Sequence, residues 1–192
     1  MRPLPERYGF NRFSHSVLLT ALTDFGIDRS DGLVAPLSAP GLARLFSEAM
    51  GCEWTCNMEQ SWVRKKVAPS PARGPQYNLQ SWHQDGALGV RFPPESGPVI
   101  PMTQLLTCWI PLNACGRDSP GLEFVRRQTA LLHFTELDDA ALRRRFPPQE
   151  FWAPVLESGD GVVFLNSILH RTHVRPEMRH DRLSVEYRIF PR

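Results

Sequence analysis

The spacing of apolar residues changes along the chain, from a helical period in the first quarter to short runs after it. Apolar side chains recur at helical spacing over 14–25 and 40–50, and glycine follows each stretch, at Gly26 and Gly51. Pro40 stands near the start of the second stretch, where helices tolerate proline. The pattern predicts two helices, so that residues 1–52 are mostly helical.

From Glu53 onward the pattern predicts strands separated by turns. An extended stretch covers 53–65, and further short runs of strand-forming residues cover 77–83, 102–110, 121–126, 150–155, 161–166 and 182–190. Residues 137–145 read as a short basic helix. Helices first and strands afterwards predict an α+β, mainly β fold, with 53–192 forming a β-sandwich or barrel. The missing βαβ alternation and phosphate loop argue against a nucleotide-binding fold.

Composition narrows the class of protein without naming a function. The chain has 192 residues, enough for one sizeable core, and we expect a single domain over 1–192. A net charge of +2 gives no reason to expect a nucleic-acid partner. The four cysteines lack paired zinc spacing, and no apolar run reaches the length of a membrane span. These features predict reduced thiols in a cytoplasmic protein without a membrane partner.

Candidate metal chemistry begins at His83 and Asp85, which flank Gln84 at the end of a predicted strand. Residues two apart on a strand face the same way, so this imidazole and carboxylate could bind one ion. A third ligand must come from a distant strand, and the candidates are His170 and His173. Two imidazoles and one carboxylate are the ligand set typical of non-haem Fe(II) oxygenases, which leave the opposite coordination positions open.

The last predicted strand has one polar and one apolar face. The polar face carries Arg182, Ser184, Glu186 and Arg188, and the other carries Leu183, Val185, Tyr187 and Ile189. If the apolar face joins the core, the polar face lies inside the barrel, where buried arginines need anions. Arg182 could then bind a carboxylate with two hydrogen bonds. The alternative places both arginines on the solvent face of an edge strand.

Four segments together resemble the phytanoyl-CoA dioxygenase family, over a range from about Gln80 to Phe190. They are SWHQDG at 81–86, GDGVVF at 159–164, LHRT at 169–172 and RLSVEYR at 182–188. The resemblance implies a double-stranded β-helix, or jelly-roll, core of the cupin-like kind. It also implies a dioxygenase that uses Fe(II), 2-oxoglutarate and O2 to hydroxylate a small molecule, releasing succinate and CO2.

The resemblance assigns roles to individual residues. It implies His83, Asp85 and His170 as iron ligands, preferring His170 over His173, and Arg182 with Ser184 as the site for the distal carboxylate of 2-oxoglutarate. Further candidates are Gln80 and Trp109 in the co-substrate pocket and Gln84, Arg188 and Phe92 for substrate contacts, with Arg188 also suited to supporting the ligands. It implies no catalytic side chain beyond the metal centre. Related halogenases replace the carboxylate ligand with a small residue, so Asp85 argues against halogenation.

Two other functions stay open on the sequence. One is a degenerate β-helix protein that binds a ligand without turnover. The other is a cupin-type metalloenzyme that does not use 2-oxoglutarate, although such sites usually begin with HxH and this chain has Asp85 at the second position. The substrate also stays open among natural-product, amino-acid and acyl types, and the Pro-rich loops 68–76 and 91–101 are expected to shape its pocket.

Overall fold

Ten strands and two α-helices form the regular structure of the described residues, which are 8–10, 14–27, 32–70, 82–87, 103–130 and 138–192 of the computed structural model. The helices are α1 (Pro40–Met50) and α2 (Asp139–Arg145). The strands are β1 (Tyr8–Phe10), β2 (Ser14–Leu18), β3 (Trp54–Cys56), β4 (Trp62–Lys66), β5 (Leu106–Pro111), β6 (Gly121–Gln128), β7 (Phe151–Trp152), β8 (Val162–Leu165), β9 (Ile168–His173) and β10 (Arg182–Pro191).

The strands form two antiparallel sheets that face each other. The larger sheet has the order β1-β2-β4-β10-β5-β8, and β3 also pairs with β10. The smaller sheet has the order β7-β6-β9, and a bridge between His83 and His170 adds a short segment beside β9. Four strands, β4-β10-β5-β8, thus lie opposite a second set of four. This arrangement is the predicted double-stranded β-helix.

Three apolar clusters separate the layers of the fold. The outer face of the larger sheet packs under α1, where Phe46 meets Tyr187 and Ile189. A second cluster lies between the sheets and includes Trp109 and Phe124. The third covers the outer face of the smaller sheet beneath α2 and includes Trp82, Val125, Leu142, Phe146 and Leu169. Each sheet therefore has one helix-covered face and one face toward the interior.

The alternation predicted for the last strand is confirmed. Val185, Tyr187 and Ile189 of β10 belong to the cluster under α1. Arg182 and Arg188 are 4% and 5% exposed, so they do not lie on a solvent face. The inner face of β10 therefore brings charged side chains into the interior of the jelly roll.

The N-terminal helix predicted over 14–25 is wrong for its first five residues. Ser14–Leu18 form β2, which pairs with β4 at Val17 and Val63, and only Leu19–Phe25 turn into a 3-10 helix. The spacing of apolar residues over 14–18 is compatible with either a helix or a strand. Pairing with β4 favours the strand, because β4 would otherwise have an unpaired edge. The helix α1 is confirmed, and it ends at Gly51, which has a φ of 69°. Neither α-helix of the described residues is long and apolar enough to cross a membrane.

Other boundaries differ where turns interrupt a pattern. A 3-10 turn at Met58–Gln60 splits the stretch predicted as extended over 53–65. The predicted strand 161–166 corresponds to β8, and a turn at 166–167 leads from it into β9, which was not among the predicted strands. Residues 77–81, which include Gln80, and the loop 91–101, which includes Phe92, lie outside the described residues.

Replacing Phe46 with alanine should destabilise the fold by about 3–5 kcal/mol, because its fully buried ring anchors α1 to the larger sheet. The ring also packs edge-on against Trp54, with centroids 5.0 Å apart. Urea denaturation measures the difference. Leu45→Ala is the matched control, since this neighbour is 43% exposed and its loss should cost less than about 1 kcal/mol. Equal costs for the two variants would contradict this packing.

Candidate metal centre

The backbones of His83 and His170 hold the two imidazoles together. The N–H of each residue donates to the carbonyl of the other, both at 3.0 Å. Residues directly opposite in an antiparallel pair project to the same side, and the two ring centroids are 4.3 Å apart. A ligand pair predicted from positions far apart in the chain is thus assembled by one strand bridge.

Asp85 reaches the same place by a different route from the one predicted. The extended segment stops after His83, and Asp85 begins a 3-10 turn, Asp85–Ala87, so strand alternation does not position the carboxylate. Asp85 Oδ1 lies 3.8 Å from Nε2 of His83 and 3.6 Å from Nε2 of His170. One ligand atom from each of the three residues lies within 4.8 Å of the others, a spacing that could hold a metal ion.

Gln84 anchors this turn to neighbouring loops. Its side-chain amide donates to the carbonyls of Ser167 at 2.8 Å and Ala130 at 3.1 Å, and to the Thr129 hydroxyl at 2.9 Å. The residue is 1% exposed. These bonds fix the backbone between His83 and Asp85, and contact of Gln84 with a substrate stays a prediction.

The Asp85 carboxylate is held by β5 and β10. Thr107 donates its hydroxyl to Oδ2 at 2.6 Å, while Arg188 donates to Oδ2 through Nη1 and to Oδ1 through Nη2 at 3.1 Å. Thr107 and Arg188 are directly paired in the sheet register. Nη2 of Arg188 also lies 2.5 Å from Glu186. Arg188 therefore supports the carboxylate, which agrees with one of the two roles that the sequence offered for it.

The electrostatics leave these groups in the forms that bind metal at neutral pH. Burial would raise the pKa of Asp85, but the charges of His170, when protonated, and of Arg188 more than reverse this and hold it below its usual range. Burial lowers the pKa of His170 to about 4. Its Nδ1 lies 3.0 Å from the carbonyl of Ile168, so a proton on Nδ1 leaves the Nε2 lone pair toward Asp85.

His173, the rival third ligand, lies on the other face of β9. Three residues separate it from His170, so the two side chains project to opposite sides of the smaller sheet. Nδ1 of His173 is 3.9 Å from the Glu123 carboxylate. The structure therefore brings His170, and not His173, next to Asp85.

An ion network on that outer face ties α2 to both histidine segments. Asp139 Oδ1 accepts from Trp82 Nε1 at 2.8 Å and lies 3.0 Å from Nη1 of Arg171. Trp82 directly precedes His83, and Arg171 directly follows His170. The Arg171 guanidinium also stacks 4.7 Å above the Trp82 ring and lies 2.7 Å from Glu123. The sequence analysis did not predict this network. The one indication in the sequence was that Trp82 and Arg171 are direct neighbours of His83 and His170.

At the other end of β10, Arg182 and Ser184 lie in the interior. The guanidinium of Arg182 is 5.2 Å from the Trp109 ring centroid and makes a long hydrogen bond of 3.4 Å to the carbonyl of Gly121. Ser184 is fully buried, and its hydroxyl has no hydrogen-bond partner among the described residues. Lys66, paired with Arg182 in register, is 6% exposed and therefore does not lie on a solvated face.

An apolar cavity of about 490 Å³ is lined in part by Phe124 and Phe164, the two rings that pack near His170. It is bounded by α1, β6, β7 and β8, and Trp152, Phe124 and Phe164 form its aromatic wall. The ring centroids of Phe164 and Phe124 are 4.6 and 6.0 Å from that of His170. Trp152, one of the apolar residues of the predicted strand 150–155, therefore lines a cavity rather than the polar interior around Asp85.

The fold resembles solved structures of non-haem iron enzymes. EctD from S. alaskensis with bound Fe is 15% identical with a TM-score of 0.63, over 93% of this chain and 57% of that one. The epimerase SnoN in complex with Fe3+, alpha ketoglutarate and nogalamycin RO is 16% identical with a TM-score of 0.58, over 93% and 64%. The alpha ketoglutarate-dependent carbocyclase SnoK, also from nogalamycin biosynthesis, is 16% identical with a TM-score of 0.56, again over 93% and 64%.

These similarities establish a shared fold. No protein-family model and no curated protein sequence matches the chain. The chain also spans only 57% to 64% of the length of these three structures. The similarity to the phytanoyl-CoA dioxygenase family therefore rests on the sequence motifs alone.

Glu123→Gln should destabilise the protein by about 2 kcal/mol at neutral pH, because charge-assisted hydrogen bonds to Arg171 and Arg143 are lost. Burial would raise the pKa of Glu123, but the nearby His173 side chain and the hydrogen bond from Arg171 outweigh it and lower the pKa to about 2. The carboxylate therefore stabilises the fold above its unfolded pKa of about 4.5, and this stability is lost as pH falls toward 2.

Urea denaturation between pH 7 and pH 3 measures this difference, which should shrink below pH 4.5. Glu48→Gln, in an exposed pair with Arg44, is the control and should change stability little at any pH. A difference that stays constant with pH would contradict the assignment.

Proposed function

We propose that the chain is an Fe(II)- and 2-oxoglutarate-dependent dioxygenase that hydroxylates a small molecule. The observation that carries the proposal is the convergence of His83, Asp85 and His170 inside a double-stranded β-helix. It is supported by the solved structures of the same fold that contain Fe, or Fe3+ with alpha ketoglutarate.

The three side chains fit a divalent iron. Two imidazole nitrogens and one carboxylate oxygen are a donor set that Fe(II) accepts, and the three ligand atoms lie within 4.8 Å of one another. Asp85 Oδ2 accepts from Thr107 and from Nη1 of Arg188, while Oδ1, which accepts from Nη2 of Arg188 at 3.1 Å, also faces both imidazoles. His83, Asp85 and His170 would therefore hold the metal with one oxygen and two nitrogens. When bound, iron with 2-oxoglutarate would activate O2 for hydroxylation, with release of succinate and CO2.

Arg182 and Ser184 would hold the distal carboxylate of the co-substrate. Gly121, whose carbonyl accepts from Arg182, pairs with His173, and Phe124 pairs with His170. Three residues along a strand correspond to about 10 Å, which a five-carbon dicarboxylate with its two contacts can bridge. A guanidinium supplies two parallel donors to a carboxylate, and the buried Ser184 hydroxyl supplies a third.

Other residues of the interior orient these groups. The ring of Trp109 lies against the Arg182 guanidinium and limits its movement. Arg188 keeps the charge of Asp85 balanced, and the Arg171–Asp139 contact holds the segments that carry both histidines. We retain Gln80 as a candidate for the co-substrate pocket, and Gln84 and Phe92 as candidates for substrate contacts.

His170→Ala should abolish iron binding, whereas His173→Ala should retain it, because only His170 lies beside Asp85. Anaerobic addition of Fe(II) and then 2-oxoglutarate should give the wild type a weak visible charge-transfer band that His170→Ala lacks. A wild type that binds neither iron nor 2-oxoglutarate would exclude the proposed function. Binding without succinate release under a substrate screen would favour the ligand-binding alternative, and turnover without 2-oxoglutarate would favour the cupin-type enzyme.

Arg182→Met should weaken 2-oxoglutarate binding about tenfold to a hundredfold, since a charge-assisted pair of hydrogen bonds is lost. Iron affinity should stay the same, because Arg182 lies at the opposite end of β10 from Arg188, the residue that contacts Asp85. Anaerobic calorimetry measures both. Arg179→Met removes an exposed arginine just before β10 and serves as the control. If the two variants bind 2-oxoglutarate equally, another residue holds the distal carboxylate.

A further inference from the structure

We propose that the apolar cavity bounded by α1, β6, β7 and β8 is a separate binding site for a small molecule that carries one carboxylate on an apolar body. Arg126 would bind the carboxylate, and the apolar walls would cover the rest of the molecule. The inference goes beyond the proposed function, because this site needs neither iron nor 2-oxoglutarate.

The cavity has the size and the lining of a small-molecule site. Its volume of about 490 Å³ falls within the range of roughly 300–1,000 Å³ that is typical of ligand pockets. Among the described residues that line it, every side chain except that of Arg126 is apolar. Trp152, Phe124 and Phe164 offer aromatic surface to a ligand. A molecule with an apolar body and one charged group matches this lining.

Two phenylalanine rings stand between the cavity and the candidate metal centre. Phe124 and Phe164 line the cavity, and their ring centroids lie 6.0 and 4.6 Å from that of His170. His83, Asp85 and His170 are not among the described residues that line it. A ligand in the cavity would therefore contact the two phenylalanine rings and not the side chains that could bind a metal.

Arg126 is oriented by the aromatic wall of the cavity. It lies on β6 two residues after Phe124, where the strand becomes exposed. Its guanidinium is 5.0 Å from the centroid of the Trp152 ring, and Trp152 pairs with Phe124 in the sheet register. An arginine stacked on an aromatic face keeps the N–H groups at its edge available for an anion. Stacking thus holds the charge at the rim of the cavity without using these donors.

The carboxylates of α1 and of the turn before β7 are engaged by other arginines. Glu48 of α1 lies 2.6 Å from Arg44, and Glu150 pairs with Arg127. Arg126 forms no ion pair within the part of the chain that the structure describes, and its contact there is the aromatic one. The positive charge at the rim is therefore available to a carboxylate on the ligand.

Calorimetry of the metal-free protein with 2-naphthoate tests the inference, with 2-naphthalenemethanol as a neutral analogue of similar shape. The wild type should bind 2-naphthoate more tightly than the alcohol. Arg126→Gln should weaken binding of 2-naphthoate about threefold to tenfold, as expected for an exposed ion pair, and leave the alcohol unchanged. Arg127→Gln is the matched control, because this neighbour pairs with Glu150, and it should bind both compounds like the wild type.

A second variant locates the site. Ala49 lines the cavity from an exposed position on α1, so Ala49→Phe should fill the cavity and weaken binding of both compounds. Arg182→Met should bind both compounds like the wild type, because the carboxylate would not lie at that end of β10. If Ala49→Phe does not fold, Arg126→Gln still decides, because Arg126 is exposed.

Three results would overturn the inference. They are a wild type that binds neither compound, a wild type that binds both equally, and binding of 2-naphthoate that Arg126→Gln or a folded Ala49→Phe leaves intact. Loss of 2-naphthoate binding in Arg182→Met would assign the probe to the proposed co-substrate site and would also overturn it. None of these results bears on the proposed function, which is tested by the binding of iron and 2-oxoglutarate.

Discussion

The paired hydrogen bonds between the backbones of His83 and His170 are the contact on which the rest of the site depends. They add a fourth segment to the smaller sheet and so complete the jelly roll. The same bonds set the distance between two imidazoles that are far apart in the chain. Closure of the fold and assembly of the candidate ligands are therefore one event. The anchors on either side, Gln84 and Asp139, act by holding this pair of backbones in place.

The interior of the jelly roll is divided between apolar packing and paired charges. Aromatic side chains such as Phe124 and Phe164 fill the part next to the smaller sheet, whereas the inner face of β10 carries charged groups. Burying charges costs free energy unless each has a partner. Asp85 with Arg188, and Glu186 with Arg64, meet that need within the described residues. The charged side chains of the interior are thus concentrated on β10, and pairing stabilises them there.

The sequence predicted the parts of the fold that a local period determines. The alternation of β10 and the helix α1 ending at Gly51 could be read directly, because burial of one face dictates both patterns. It did not predict β2, whose state depends on pairing with β4 and not on its own residues. Strand β9 was also not predicted as an element of its own, although Asn166 and Ser167, which form the turn before it, are residue types that favour turns.

The site shows the same limit at the level of single residues. The convergence of His83, Asp85 and His170 could be expected from motif spacing, but the reason given for Asp85 was wrong, because a turn and not a strand presents it. The choice between His170 and His173 depended on knowing that both lie on the single strand β9. Residues three positions apart on a strand project to opposite faces, so only His170 lies near Asp85. The burial of Lys66 depends on its register with Arg182, which is a property of two strands far apart in sequence.

The hold on Asp85 bears on what the site can do. A carboxylate with both oxygens free could bind a metal through either or both of them. Here Oδ2 accepts from Thr107 and from Nη1 of Arg188, while Oδ1 accepts from Nη2 of Arg188 at 3.1 Å and lies near the two imidazoles. Two imidazole nitrogens and a carboxylate oxygen would then be the donors that the protein offers to an ion, and further donors would have to come from small molecules. Arg188, which balances the charge of Asp85, would thus also restrict the contact of this carboxylate with an ion, through the same hydrogen bonds that hold it in place.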